Sequence, residues 1–305
     1  MSNPRKSNKT DQDASRREDL LDLLGDVSPD ETPLLTLLGT STAKNTYHEW
    51  LKYNISRPTS VSADVEGADT TFSDLTQPSR TGNITQIIKQ SVRVSRTERK
   101  VNVAAMGDPY AFQKADALRQ LKMKMEYAIL NAVTASGASG VARQMNGIDA
   151  FITSVVTARN SGTSFSEQEL NDMTADAYTT VRADKVFDTL LCTVKIKQAI
   201  AGFAGNSTRY IPAQDRRLTK DILVYDSAVG SHSIMHHRDV RNSAGSTTVY
   251  GLRLDMHKVA YLDKPVFEEL AKVGDSDRGH WVTEFTLEVL EEKANVKRTG
   301  YNQNG

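Results

Sequence analysis

One cysteine, Cys192, stands alone in 305 residues, so no disulfide can staple the subunit internally. Surplus charge is missing as well. Lys plus Arg and Asp plus Glu each number 38, which leaves no net field to recruit nucleic acid or an anionic membrane. No apolar run reaches the ~18 residues that a membrane span needs, and the polar N terminus is unlike a secretory signal. The expected compartment is therefore a cytoplasm. Internal repeats are absent, which argues against a fibre or adhesin. No strand pattern is followed by G-x-G-x-x-G, and neither G-x-x-x-x-G-K-[ST] nor G-x-S-x-G occurs.

The residues that could carry chemistry do not converge. His232, His236 and His237 invite a metal, but strand residues four apart stand about 13 Å from each other and neighbours face opposite ways. They are expected on the surface or a polar face. Cys192 lies in an apolar run without a nearby base, which suits a packed thiol better than a nucleophile. Asp275 and Asp277 fit a solvated G-D-S-D-R-G turn better than a paired-carboxylate site. Arg93, Arg96, Arg99 and Lys100 form a basic patch without the stacking aromatics that nucleic-acid binding would want. Salt bridging to a neighbouring chain or a solvated face is expected there. The glycine-punctuated loop Gly137–Gly147 follows a helix pattern, so it reads as a connector and not a phosphate cradle. Neither a cofactor nor a metal is expected, nor an enzyme.

What the chain does have is a long helix. Asp108 can cap free N–H groups and Pro109 suits the first helical position. Ala111, Ala115, Leu118, Leu121, Met125, Ala128, Ile129 and Ala132 recur at steps of three and four, predicting a helix over 109–133. At about 25 residues it would run roughly 37 Å. Its stripe is narrow and contains Lys114 and Lys122, and Lys122 can pair with Glu126 one turn on. Such a helix reads as a girder on a thin sheet.

Residues 1–16 carry almost nothing to bury and are expected to be disordered. A short helical run over 17–24 follows, closed by Gly25; a second greasy run holds Leu34, Leu35, Leu37 and Leu38, with Ser28 or Thr32 as its cap. Tyr47–Ile55 and Ile84–Val94 alternate as strands on either side of a polar excursion, Arg57–Asn83. Together they predict a long antiparallel hairpin, its return arm about 35 Å, for which the chain offers no obvious cover. Beyond the helix come a strand over 151–156, and a helix from the capping box Ser166-x-x-Glu169 to Val181 with Leu170, Met173 and Ala177 inward. A strand at 186–192, a helix at 194–203, and a hairpin around Gly230 follow. A strand at 252–262 is interrupted at Lys264-Pro265, and a half-buried strand runs from Trp281 to Val289. The tail past Val296 reads as polar and frayed. Arm and hairpin lack an internal partner, and symmetric self-assembly would supply one.

Several stretches carry a resemblance. T-P-L-L-T-L-L-G-T at 32–40 with K-N-T-Y-H-E-W-L at 44–51 is similar to the N-terminal arm of tailed-bacteriophage major head proteins. V-E-G-A-D at 65–69 and Q-I-I-K-Q-S-V-R-V-S at 86–95 resemble their extended loop, and A-R-Q-M-N-G-I at 142–148 the loop after their spine helix. The most specific match is E-L-A-K-V-G-D-S-D-R-G-H-W-V-T-E-F-T-L-E-V-L-E-E-K-A at 269–294. The resemblance spans about 17–294 and is weakest over 208–248.

It implies an α+β protein with the Hong Kong 97-like capsid fold. The expected units are a leader (1–16), N-arm (17–46), E-loop (47–104), P domain with spine helix (105–184), A domain (185–265) and a return to the P domain (266–305). It implies hexamers and pentamers closing an icosahedral head around double-stranded DNA, assembled in a host cytoplasm and built into a virion. A portal, a separate scaffolding protein and a decoration protein are possible partners; the leader is expected to be too short for a fused scaffold. Inter-subunit contact candidates are Leu34, Leu35, Leu37 and Leu38 in the arm, and Trp50, Arg57 and Arg80 in the hairpin. To these are added Arg93, Arg96 and Arg99 in the basic patch, and Lys114, Lys122 and Glu126 on the helix. An encapsulin-like compartment, sharing the fold but enclosing cargo protein, is the alternative.

Overall fold

The computed structural model describes residues 32–53, 60–70, 72, 77–101, 108–181, 186–203, 224–243 and 246–302. The leader, the run over 17–24 and Arg57 lie outside them. In chain order come α1 (Pro33–Leu37), β1 (Gly39–Thr42), β2 (Tyr47–Lys52), β3 (Ser79–Ile84), β4 (Gln86–Ser95), α2 (Arg96–Lys100) and α3 (Pro109–Asn131). Then follow α4 (Ile148–Phe151), β5 (Val156–Thr163), α5 (Glu167–Val181), β6 (Thr189–Cys192), α6 (Val194–Phe203), β7 (Val224–Asp226) and β8 (Ser231–His236). Last are β9 (Asn242–Ser243), β10 (Ser246–Leu252), β11 (His257–Leu270), β12 (Ser276–Val289) and β13 (Val296–Tyr301).

The helix α3 starts as its sequence dictates: the Tyr110 N–H donates to the Asp108 carboxylate at 3.0 Å, and Pro109 takes the first turn. It ends at Asn131 because Ala132 turns to extended backbone. Its inward stripe differs from the expected one. Ala111 and Ala115 are exposed, and the inward line runs through Lys114, Ala117, Leu118, Leu121 and Met125. The Lys114 carbonyl, accepting from the Trp281 indole at 2.9 Å, sets that rotation. In the last turns Ala128 to Asn131 are all buried, since α1 and α4 cover the side that the sheet leaves open.

The sheet beneath α3 has the order β1-β11-β12-β4, with β1 parallel to β11 and the rest antiparallel. A second sheet runs β5-β13-β10-β6-β8-β7, with β9 on β10. Its central strands are buried on both faces, as the four buried residues of β6 show. Leu190, Cys192 and Val249 face a core shared with α5 and α6; Leu191, Tyr250 and Leu252 face the core under α3. One pleat thus serves two cores.

Several expectations need correcting. The return arm does not stay with its outgoing partner. β3 pairs with β2 over Tyr47–Lys52, but at Thr85 the chain crosses over and β4 pairs with β12 along its whole length. The arm therefore has cover within its own subunit, with Val92 and Val94 buried beside α3. Residues 151–156 are not a strand: α4 occupies 148–151 and β5 begins at Val156. β11 is not interrupted at Lys264-Pro265, because register shifts at Asp263 and Val266 take up the missing proline N–H. It also crosses the expected 265/266 boundary. The frayed tail is instead β13, an interior strand of the second sheet between β5 and β10, with Arg298 and Tyr301 buried. Gly300 makes that possible: it sits at φ +96°, where an added Cβ would meet the Arg159 carbonyl at 2.1 Å.

Candidate functional site

Three assemblies of side chains stand out. The first pins α1 to α3. Glu126 Oε1 accepts from the Leu34 N–H at 2.7 Å and Oε2 from the Leu35 N–H at 2.8 Å, so one buried carboxylate caps the short helix. His237 completes it: its Nδ1 accepts the Asp239 N–H at 3.0 Å, which leaves Nε2–H to donate to Glu126 Oε1 at 2.8 Å. Glu126 is thus not the partner of Lys122, which is exposed, and His237 is not a surface histidine. His232 is also buried, its ring between the Ser227 hydroxyl and the Phe187 carbonyl, and burial pushes it below the usual histidine range.

The second assembly anchors the hairpin's base. The Asn83 amide donates to the Leu287 and Asn146 carbonyls at 2.8 and 3.0 Å, and its oxygen accepts the Asn146 N–H at 2.9 Å. Beside it Glu284 accepts from the Thr85 hydroxyl at 2.5 Å and from Arg143 at 2.6 Å. Trp50 is buried, its indole donating to the Val289 carbonyl at 3.0 Å. Outward, the same hairpin carries Tyr47, Leu51 and Tyr53, all about half exposed or more, and beyond it Val61, Val65 and Phe72 stand almost fully exposed. Among the described residues these apolar side chains are left facing solvent.

The third lies in the second core. The buried Arg298 guanidinium donates to Glu169 at 2.9 Å and to Asp176 at 2.5 Å, and Tyr301 donates to Glu169 at 2.8 Å. Burial and that carboxylate raise the Tyr301 phenol well above its ordinary range. Ser166 Oγ accepts the Glu169 N–H as a cap, while the Glu169 side chain serves Arg298 and Arg159.

The contact candidates divide accordingly. Leu34, Leu38, Trp50 and Glu126 are buried by their own subunit and Leu35 packs against the same core; these are corrected as free contacts, since α3, α4 and β12 already occupy them. Arg96 pairs with Asp275 at 3.1 Å, and Arg99 with Asp277 at 2.6 Å and Asp108 at 3.4 Å. All three of these ion pairs lie within the chain. Lys114 lies over the Phe267 ring at 4.0 Å. Leu37, Arg80, Arg93 and Lys122 remain on the surface, Arg80 beside Glu49 at 3.7 Å. The sequence pattern missed Asn83, Thr85, Arg143 and Glu284, whose partners lie far away along the chain.

Burial pushes the Cys192 thiol up to about 12, leaving little thiolate. Among the described residues no group of His, Cys, Asp and Glu has the spacing to hold a metal ion. No described helix is long and apolar enough to cross a membrane.

A family model described as "SU10 major capsid protein" matches residues 6–302. No curated protein matches the sequence. Among solved structures, the cyanophage A-1(L) capsid asymmetric unit is similar at TM-score 0.65 and 14% identity, covering 95% of this chain and 98% of that one. The capsid of Myoviridae phage XM1 matches at TM-score 0.63 and 13% identity, covering 93% and 96%. The holo-SrpI encapsulin complex of Synechococcus elongatus PCC 7942 matches at 0.58 and 11%, covering 94% and 93%.

Proposed function

Because the chain belongs to the SU10 major capsid protein family, and is thus a tailed-phage major capsid protein of the Hong Kong 97-like fold, we propose how its surfaces build the shell. Subunits associate through hexamers and pentamers into an icosahedral head around double-stranded DNA, assembled in the host cytoplasm and carried in the virion. The observation that carries this reading is the hairpin: its base is fixed by Asn83 and Trp50, while Tyr47, Leu51, Tyr53, Val61, Val65 and Phe72 present apolar surface outward. A neighbouring copy covers that face. We read 47–104 as the E-loop, 105–184 with 266–305 as the P domain, 185–265 as the A domain and 17–46 as the arm, with β11 passing from the A domain into the P domain. In this reading α1 and β1 of the arm rest on their own subunit, and the hairpin reaches out.

The role is structural rather than enzymatic. DNA is enclosed without sequence-specific contact, since the balanced charge gives no wall of phosphate-binding cations. A portal, a scaffolding protein and a decoration protein are proposed partners. An encapsulin shell shares the fold, but that likeness is of fold alone, whereas the family model spans 6–302. Size-exclusion chromatography and electron microscopy of purified particles test the reading. Closed shells with nuclease-protected duplex DNA are expected; shells filled with cargo protein, or a chain that stays monomeric at high concentration, would overturn it.

A further inference from the structure

A groove of about 1200 Å³ lies between β4, the C-terminal half of α3 and the turn after β8. Ile87, Tyr127, Val133 and Val194 line it, each about half exposed. Lys89, Lys124 and Arg238 stand on its rim, all exposed, and none forms an ion pair among the described residues. Lys124 is held in place by the Gln90 side chain at 2.5 Å, with its charge uncompensated. Two carboxylates also line the groove, but Glu126 is spent on His237 and α1, which leaves Asp239 alone against three cations. The surface calls for an occupant that is apolar on one side and acidic on the other.

The chain carries one, and it enters at this place. Pro33, the first residue of α1, is itself part of the groove lining, so whatever precedes it arrives at the rim. Upstream stands R-E-D-L-L-D-L-L over 17–24. At 3.6 residues per turn Leu20, Leu21, Leu23 and Leu24 fall on one side of a helix, with Glu18, Asp19 and Asp22 almost opposite. Residues 25–32 connect the two, and eight residues span up to about 27 Å, enough to turn back along the groove. We propose that residues 17–24 dock in this groove of their own subunit, leucines toward Ile87, Tyr127 and Val133, acids toward Lys89, Lys124 and Arg238. A second copy could offer the same segment, but the short tether holds the subunit's own at an effective concentration on the order of millimolar. The inference concerns the unassembled subunit, so it does not rest on the shell reading.

A photo-crosslinking residue at Leu21 of the full chain, with isotopically heavy and light subunits mixed below the assembly concentration, tests this directly. Cross-links to peptides carrying 86–89, 123–133 or 236–239, always within one isotope, are expected. The K89E/K124E/R238E variant should cut the yield about tenfold at low salt, where exposed charges are least screened. Adding E18K, D19K and D22K should restore it, which separates lost docking from lost folding. Capture elsewhere, cross-links joining heavy to light chains, or a yield indifferent to both charge sets would overturn the proposal.

Discussion

The second core and the outer hairpin spend their polar and apolar groups in opposite ways. In the core, Arg298 is only 1% exposed and is answered by Glu169 and Asp176, while leucines and phenylalanines fill the core beside it. In the hairpin, polar Asn83 and Thr85 are buried at the base and the apolar Tyr47, Leu51 and Tyr53 face outward. A chain that folded only for itself would do the reverse at the hairpin. In the proposed reading, the difference separates what holds the subunit from what joins subunits.

Removing the hairpin's outer part should break the comparison most sharply. Residues 54–78 replaced by Asn-Gly keep β2, β3 and Asn83, and so keep every contact of the base. The expected product is a soluble subunit with an almost unchanged melting temperature and no closed shells by electron microscopy. Shells of normal appearance would show the excursion to be decoration, and aggregation would assign it to the subunit's own core.

Next in size is Arg298→Ala. It removes the buried guanidinium but leaves Glu169 to Arg159 and the Tyr301 hydroxyl, so it should cost about 1.5–3 kcal/mol by chemical denaturation, the range for hydrogen bonds to a charged group. Arg298→Met with Glu169→Gln should recover a good part. A loss under about 1 kcal/mol for the alanine variant would mean that β13 is held by its backbone alone.

Acid is the third test. His257 is buried, with Nδ1–H donating to the Arg253 carbonyl at 2.8 Å and Nε2 unpartnered, and burial holds it below the ordinary 6.5. His232 is lowered for the same first reason. The unfolded chain takes up these protons as pH falls through about 6.5 and the folded chain does not, so stability is lost from about pH 7 toward pH 5. Each histidine contributes at most about 1.4 kcal/mol per pH unit. His257→Gln should flatten the dependence of melting temperature on pH; an unchanged slope would clear this residue of the effect.

The smallest effect belongs to Arg99→Ala. Its pairs with Asp277 and Asp108 are solvent-exposed, and water and salt screen away most of the attraction in such pairs. A larger loss of subunit stability would place the patch with the core instead of the surface.

The elements were mostly legible because they follow local periods. The start of α3, the inward side of α5, the bounds of α6, the β7–β8 hairpin and β12 all appear in the spacing of apolar residues or in a cap. What escaped depends on partners distant in sequence. Val296 to Tyr301 reads as polar because Arg298 and Lys297 are charged, and only Glu169, Asp176 and Asp149 make it an interior strand. Contact candidates such as Leu34 in the arm and Trp50 in the hairpin looked free because their cover lies about 90 and 240 residues away, at Glu126 and Val289. The outward apolar face of the hairpin was visible in its alternation, but which half of the return arm it held was not.

The order of strands also sets a clock. β12 joins β11 to β4, and β13 joins β5 to β10, so the last two strands of the chain sit inside the two sheets rather than at their edges. Until residues 276–285 have been made β4 has no strand to pair with, and until 297–301 have been made β5 has none. β1 must likewise wait some 220 residues for β11. Closing such distant pairs is slow, and it leaves strand edges open meanwhile. A nascent chain of this design gathers helices and hairpins during synthesis and closes both sheets only once residues 276–301 have been made.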